Sequence, residues 1–155
     1  MVQGKWFPTG SDITQPLLIR QRVFGRGRDE LDSLSQQVAV YQEGQAVGSA
    51  RLWWKDGAFW LGEVGVLPEE RGKGFGDLLI RLLLFKALTH QAGLICAEAP
   101  EETRPFFEKY GFTAADGQNP ATLSILGEAV QLSHCGGSCE NCDHRTPECT
   151  PKALR

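Results

Sequence analysis

Glycines at 72, 74 and 76, flanked by Arg71 and Lys73, close the stretch Val64 to Asp77 (VGVLPEERGKGFGD). Three glycines just ahead of a strongly apolar helical segment leave a run of backbone N–H groups uncovered by side chains. With the positive end of the helix dipole and the two cations, those groups make an anion cradle. The chemistry such a cradle suits is the holding of a phosphorylated ligand. Two common phosphate loops do not match it. A Walker loop follows Gly-Lys with Ser or Thr to hold magnesium, whereas Gly74 follows Lys73. A dinucleotide fingerprint counted from Gly72 and Gly74 needs its third glycine where Asp77 stands.

The pattern present is Val-x-Val-x-Pro-x-x-Arg-Gly-x-Gly-x-Gly, from Val64 to Gly76, and roughly thirty residues on comes PFFEKYGF, Pro105 to Phe112. Together these segments resemble the acyl-CoA pyrophosphate loop and the Tyr-Glu-Lys-x-Gly-Phe motif of the GNAT superfamily of N-acetyltransferases. Ile19-Arg20, Val23-Phe24, Asp32, Val47-Gly48 and Arg51-Leu52 add a fainter likeness to one branch of it. The resemblance covers most of Ile13 to Leu132. It implies the acyl-CoA N-acyltransferase fold, an α/β architecture with a mixed, mostly antiparallel central sheet flanked by helices. It also implies acetyl-CoA as co-substrate and an amine, of a small molecule or a protein, as acceptor.

Site roles follow from the same resemblance. The strand edge at Val64 and Val66 would pair with the cofactor's amides. The backbone of Gly72, Lys73, Gly74, Phe75 and Gly76, leading into Asp77, would hold the pyrophosphate, with Arg71 and Lys73 as screening cations. The Val66 N–H is the expected oxyanion donor. Glu63, three residues earlier, is the expected acceptor of the amine proton; the alternative makes it a solvated strand residue or a cross-hairpin partner of Arg51. Strand alternation puts Glu63 and Gly65 on one face and Val64 and Val66 on the other. Family members often place a Tyr five residues before the final Phe, to protonate the leaving thiolate; Phe107 stands there. Tyr110 lies about 300° further round a helix and is expected to pack.

The elements that would position these residues can be traced along the chain. Gln15 to Phe24 reads as a helix, and Asp29 to Ser33 as a short second one. Gln37 to Gln42, Ala46 to Trp54 and Ala58 to Leu67 read as three antiparallel strands, the last two joined at Asp56-Gly57. One of the adjacent Trp53 and Trp54 must then point away from the core. The helix from about Gly76 to Gln91 is apolar nearly all round and is expected to be buried on more than one side. Leu94 to Ala97 is a short strand in which Cys96 reads as a small buried hydrophobe. Thr103 to Tyr110 is a helix closed at Gly111. Asp116 to Pro120 reads as a loop, and Thr122 to Leu126 with Ala129 to Leu132 as a final strand pair.

At 155 residues the chain has room for one domain and a small appendage. A net charge of −3 leaves no electrostatic footprint for nucleic acid. The basic run Arg20 to Arg28 reads as a solvated helix end. No apolar stretch reaches membrane-spanning length and the N-terminus carries no apolar leader, so the expected location is cytoplasmic. The five cysteines then read as thiols or metal ligands. Composition divides the chain into residues 1–133, the acetyltransferase-like domain, and a Cys/His-rich tail over 134–155. The tail spaces Cys135, Cys139, Cys142 and Cys149 as Cys-x3-Cys-x2-Cys-x6-Cys, with His144 in the last interval. Its few apolar residues cannot order it, whereas a metal could. Zinc held by four cysteines, or by three and a histidine, suits the spacing. An iron–sulfur cluster or a tail of free thiols are the alternatives. A different reading of the whole is a CoA-binding regulatory module whose tail senses metal or redox state, or forms a homodimer or docks a protein partner.

Overall fold

The computed structural model describes residues 1–116 and 119–131. Cys135, Cys139, Cys142, His144 and Cys149, the metal-ligand candidates, lie outside them. Among the described residues no group of His, Cys, Asp and Glu is arranged to hold a metal ion, and no helix is long and apolar enough to cross a membrane.

Seven strands form one sheet in the order β1-β2-β3-β4-β5-β7-β6. The expected meander is present as β2 (Ser35–Gln42), β3 (Gln45–Lys55) and β4 (Ala58–Val66), all antiparallel. Asp56 and Gly57 both take positive φ, 52° and 80°, as a tight hairpin turn requires. β5 (Leu94–Glu98) runs parallel to β4, as a crossover through a helix permits. The crossover is α2 (Phe75–Thr89), and a one-turn α3 (Arg104–Glu108) follows β5. The chain opens with β1 (Val2–Phe7), antiparallel to β2, and α1 (Thr14–Phe24), which Gly25 ends in the left-handed region at φ 68°. β1 was not legible in advance, because VQGKWF has only one buried residue and lies at the sheet edge.

The last strands differ from expectation. The final pair is β6 (Thr113–Asp116) with β7 (Asn119–Leu126), and Gly127–Ala129 is a 3-10 turn rather than part of a strand. β7 pairs antiparallel with β5 from Leu94↔Leu126 to Glu98↔Thr122. A strand begun at Thr122 would leave the end of β6 unpaired.

Adjacent residues of β3 show that the helices cover opposite faces. A Cβ built on Gly48 would stand 3.1 Å from Leu79 of α2, whereas the Ser49 hydroxyl donates to the Pro16 carbonyl of α1 at 3.3 Å. Leu79, Ile80, Leu83, Leu84 and Ala87 of α2 are buried against Val38, Leu52, Leu61 and Ile95 of the sheet. The second apolar side of α2 is met by β1: Gly4 packs so closely on Leu82 that a Cβ would lie 2.8 Å from it, and the Lys86 ammonium sits 5.0 Å above the Trp6 ring. Phe85 remains exposed.

α1 is held by charge. Arg20 is not part of a solvated helix end but is 2% exposed. Its guanidinium donates to both Asp32 oxygens at 2.8 Å and to Gln37 at 3.1 Å. Gln37 donates back to Asp32 at 2.9 Å, and Arg51 reaches Asp32 at 3.2 Å and Asp29 at 2.6 Å. Asp32 also accepts from the Asp29 backbone N–H, which caps the 3-10 turn Glu30–Leu34. Burial by itself pushes the Asp32 carboxyl up, but the Arg20 hydrogen bonds, the Asp29 N–H and the two cations outweigh it and hold the group well below the ordinary range. Its contribution to stability is therefore fully present above the unfolded carboxylate pKa and is lost as pH falls through the lower folded value. Asp32→Ala strands two buried cations and is expected to destabilise the fold by about 3–5 kcal/mol, read as a fall in the urea midpoint at neutral pH.

Candidate active site

β4 and β5 pair at only three positions, Phe59↔Ile95, Trp60↔Cys96 and Leu61↔Ala97. Just beyond, the register of β3 and β4 slips. Gly62 stands opposite Arg51 and Gly65 opposite Ser49, so Glu63 and Val64 face the single residue Ala50. Such a bulge bends its strand, and Glu63 sits in it at φ 53°, in the left-handed region. The strands part, and two adjoining cavities of about 500 and 460 Å³ open in the gap. From Glu63 onward the alternation runs as expected. Glu63 lies with Arg20 and Arg26 on the α1 face. A Cβ on Gly65 would stand 2.9 Å from Val23 and Phe24 of α1, while Val66 faces the α2 side near Gly48 and Gly76.

The smaller cavity contains the glycine loop. Gly72 and Gly74 take φ of 81° and 87°, and Gly74 is the residue from which α2 springs. A Cβ on either would meet nothing within 4 Å, so the loop presents bare backbone to open space. Arg71 donates from Nε to the Val66 carbonyl at 3.1 Å and clamps the loop to the end of β4. Phe75, 5% exposed, anchors the loop in the core. Val64, Val66 and Arg71 line this cavity with Gly72, Gly74 and Gly76. Lys73 does not: it pairs with Glu70 at 2.8 Å. Lys109, the lysine of the PFFEKYGF segment and outside the glycine loop, lines the cavity from the end of α3 with its ammonium 5.0 Å above the Phe106 ring.

Asp77 also lines the loop cavity, with its carboxylate already engaged. One oxygen accepts from Arg81 at 2.8 Å and the other from the Tyr110 hydroxyl. Burial pushes the Tyr110 phenol up, and the hydrogen bond and charge of Asp77 push it further. Tyr110 thus ties α3 to the first turn of α2, in line with the packing expected of it. Phe107, where the family's Tyr would stand, is 4% exposed.

The larger cavity has Trp53, Ala99 and Phe107 at its base, with Phe24 and Phe106 as walls. Trp53 is buried while Trp54 is 55% exposed, so the adjacent pair splits as alternation requires. Glu63 lies at the cavity edge, and its oxygens accept from Arg26 at 3.0 and 2.9 Å. Arg51, the partner considered from sequence, comes only within 4.0 Å. Phe24, Val64, Thr103 and Phe106 line both cavities, so the two abut around Val64. Phe24, Phe106 and Glu98 were missed as site residues. The first two read as ordinary apolar helix positions. Glu98 is simply where β5 ends, and only the parting of β4 from β5 reveals it.

A family model described as an acetyltransferase (GNAT) domain matches residues 34–114. The uncharacterized N-acetyltransferase YjcF of Bacillus subtilis is 31% identical over 84 residues, which cover 54% of this chain and 60% of that protein's length. In structure, the chain resembles an acyl-CoA N-acyltransferase from Pseudomonas aeruginosa at TM-score 0.70, with 18% identity over 80% of this chain and 99% of the other. It also resembles an Elizabethkingia anophelis acetyltransferase with acetyl-CoA bound, at TM-score 0.65 and 13% identity, covering 81% and 97% of the two chains.

Because its hydroxyl is committed to Asp77, Tyr110→Phe is expected to lower stability by about 1.5–3 kcal/mol while changing turnover by less than about twofold. Parallel denaturant and steady-state measurements check this. A large fall in kcat without loss of stability would return Tyr110 to the chemistry.

Proposed function

The chain belongs to the GNAT acetyltransferase family, and from that premise we propose that it transfers the acetyl group of acetyl-CoA to an amine by direct attack. The observation that carries this reading is that the two cavities abut at Val64, one holding the glycine loop and the other Glu63. A phosphorylated thioester resting on the glycine loop and running along β4 would end where an acceptor in the larger cavity begins.

The loop amides from Gly72 to Gly76 would meet the pyrophosphate at the start of α2, where the helix dipole favours negative charge. Lys109 supplies a cation that lines this cavity, and Lys73 acts from outside it. The β4 edge beyond Leu61, left without a β5 partner, suits the amides of the pantetheine arm. In the reaction the amine lone pair attacks the thioester carbon, a C–N bond forms, and the C–S bond breaks. The Val66 N–H is assigned the charge that builds on the carbonyl oxygen. CoA leaves as a thiolate and takes its proton from water, an ordinary thiol being a tolerable leaving group.

Glu63 is assigned the proton that the amine releases. Arg26 occupies one lone pair on each carboxylate oxygen, which leaves another on each for a water or the amine. Acetyl-CoA turnover against a panel of amines tests the scheme. Glu63→Gln is expected to keep acetyl-CoA affinity and to lose roughly 10²–10⁴-fold in kcat. Unchanged turnover would remove Glu63 from the mechanism, and failure of the protein to bind acetyl-CoA at all would remove acetyl transfer itself.

A further inference from the structure

We infer that the acceptor is a cationic amine carried on an apolar, ring-sized body without a carboxylate, and that Glu98 selects it. This rests on the acetyl-transfer reading and adds the substrate class. The walls of the larger cavity supply the first half. Trp53, Phe107 and Ala99 floor it and Phe24 and Phe106 flank it, so an occupant meets aromatic and aliphatic surface on several sides. Its volume of about 500 Å³ falls within the range for small-molecule sites.

The charges supply the second half. Four charged residues line the cavity: Arg26, Arg51, Glu63 and Glu98. Arg26 and Glu63 answer each other at 2.9 Å. Arg51 is answered by Asp29 and Asp32. Its Nε has no partner among the described residues, but it is sealed from solvent, so no incoming carboxylate reaches it. Glu98 is exposed and stands at the end of β5 where β4 has turned away, and its carboxylate has no hydrogen bond or ion pair among the described residues. Among the described residues, the one charge of this cavity left unanswered is therefore negative. An ammonium group answers it, and a carboxylate on the same molecule would be repelled by it.

The aromatic faces do not substitute for Glu98. Cations already stand over Phe24, Trp53 and Phe106, at 4.7, 5.1 and 5.0 Å. The rings thus serve the apolar body, and the carboxylate serves the amine. Binding as an ammonium ion then precedes loss of the proton and attack.

Steady-state kinetics with the full chain test the inference on three probes: phenethylamine, phenylalanine, which adds a carboxylate to the same skeleton, and a lysine-containing peptide without aromatic residues. Phenethylamine is expected to exceed the other two in kcat/KM by about tenfold or more. Glu98→Gln is expected to raise KM for phenethylamine about tenfold with kcat and acetyl-CoA affinity little changed. Equal or better use of phenylalanine or of the peptide would overturn the substrate class. A fall in kcat at unchanged KM would overturn the selecting role of Glu98. Acetyl-CoA binding, measured calorimetrically on the same samples, separates these failures from a failure of acetyl transfer, since loss of binding in the unmodified protein sinks both.

Discussion

The site exists because two parallel strands stop pairing. β4 and β5 share three residue pairs and then separate, and what separates them is one extra residue in β4. A continued ladder would close the gap and fill it with side chains, as in any sheet interior. The bulge instead bends β4 where β5 stops pairing with it and puts Glu63 in a conformation that costs a non-glycine residue about 1–3 kcal/mol. Both cavities, the exposed strand edge and the access to Glu98 derive from that single break.

An opening in a sheet needs a rigid frame, and α1 supplies one wall of it. The helix approaches β4 so closely at Gly65 that a methyl group there would collide with Val23 and Phe24. Apolar packing alone would let such a helix slide, because burial is non-directional. The Arg20–Asp32 pair, with Gln37 and Arg51 around it, fixes direction as well as distance. A fork of two parallel hydrogen bonds admits one orientation of the helix over the sheet. The charges therefore set where Phe24 stands between the two cavities, and their contribution is geometric as much as energetic.

Local signals in the chain revealed some of this. The glycine loop was legible because its chemistry and its sequence coincide: bare backbone, positive φ and flanking cations are properties of consecutive residues. The hairpin at Asp56-Gly57 and the strands around it were legible for the same reason. β1 was not, since it is held by pairing with a distant strand rather than by its own alternation, and β6 was lost where Asp116 to Pro120 read as a loop. Arg20 read as solvated because helical spacing does not show that Asp32 lies opposite. Glu98 was invisible as a site residue because nothing about a strand-ending glutamate says that the neighbouring strand has left. Consecutive residue types likewise did not show that Lys73 pairs with Glu70 rather than lining the loop cavity.

The two cavities are made of different material. The loop cavity is formed largely by main chain: glycine amides, a strand edge and the start of a helix. The larger cavity is lined mainly by side chains, from α1, β3, β4, the end of β5 and α3. Point substitutions can therefore reshape the larger cavity freely, while the loop cavity yields only to changes that alter the path of the chain. A lineage built on this plan can alter what the larger cavity admits through replacements at positions such as 53 and 98, neither of which lines the loop cavity. The division between main-chain and side-chain construction makes the loop cavity an inherited part and the larger cavity an adjustable one.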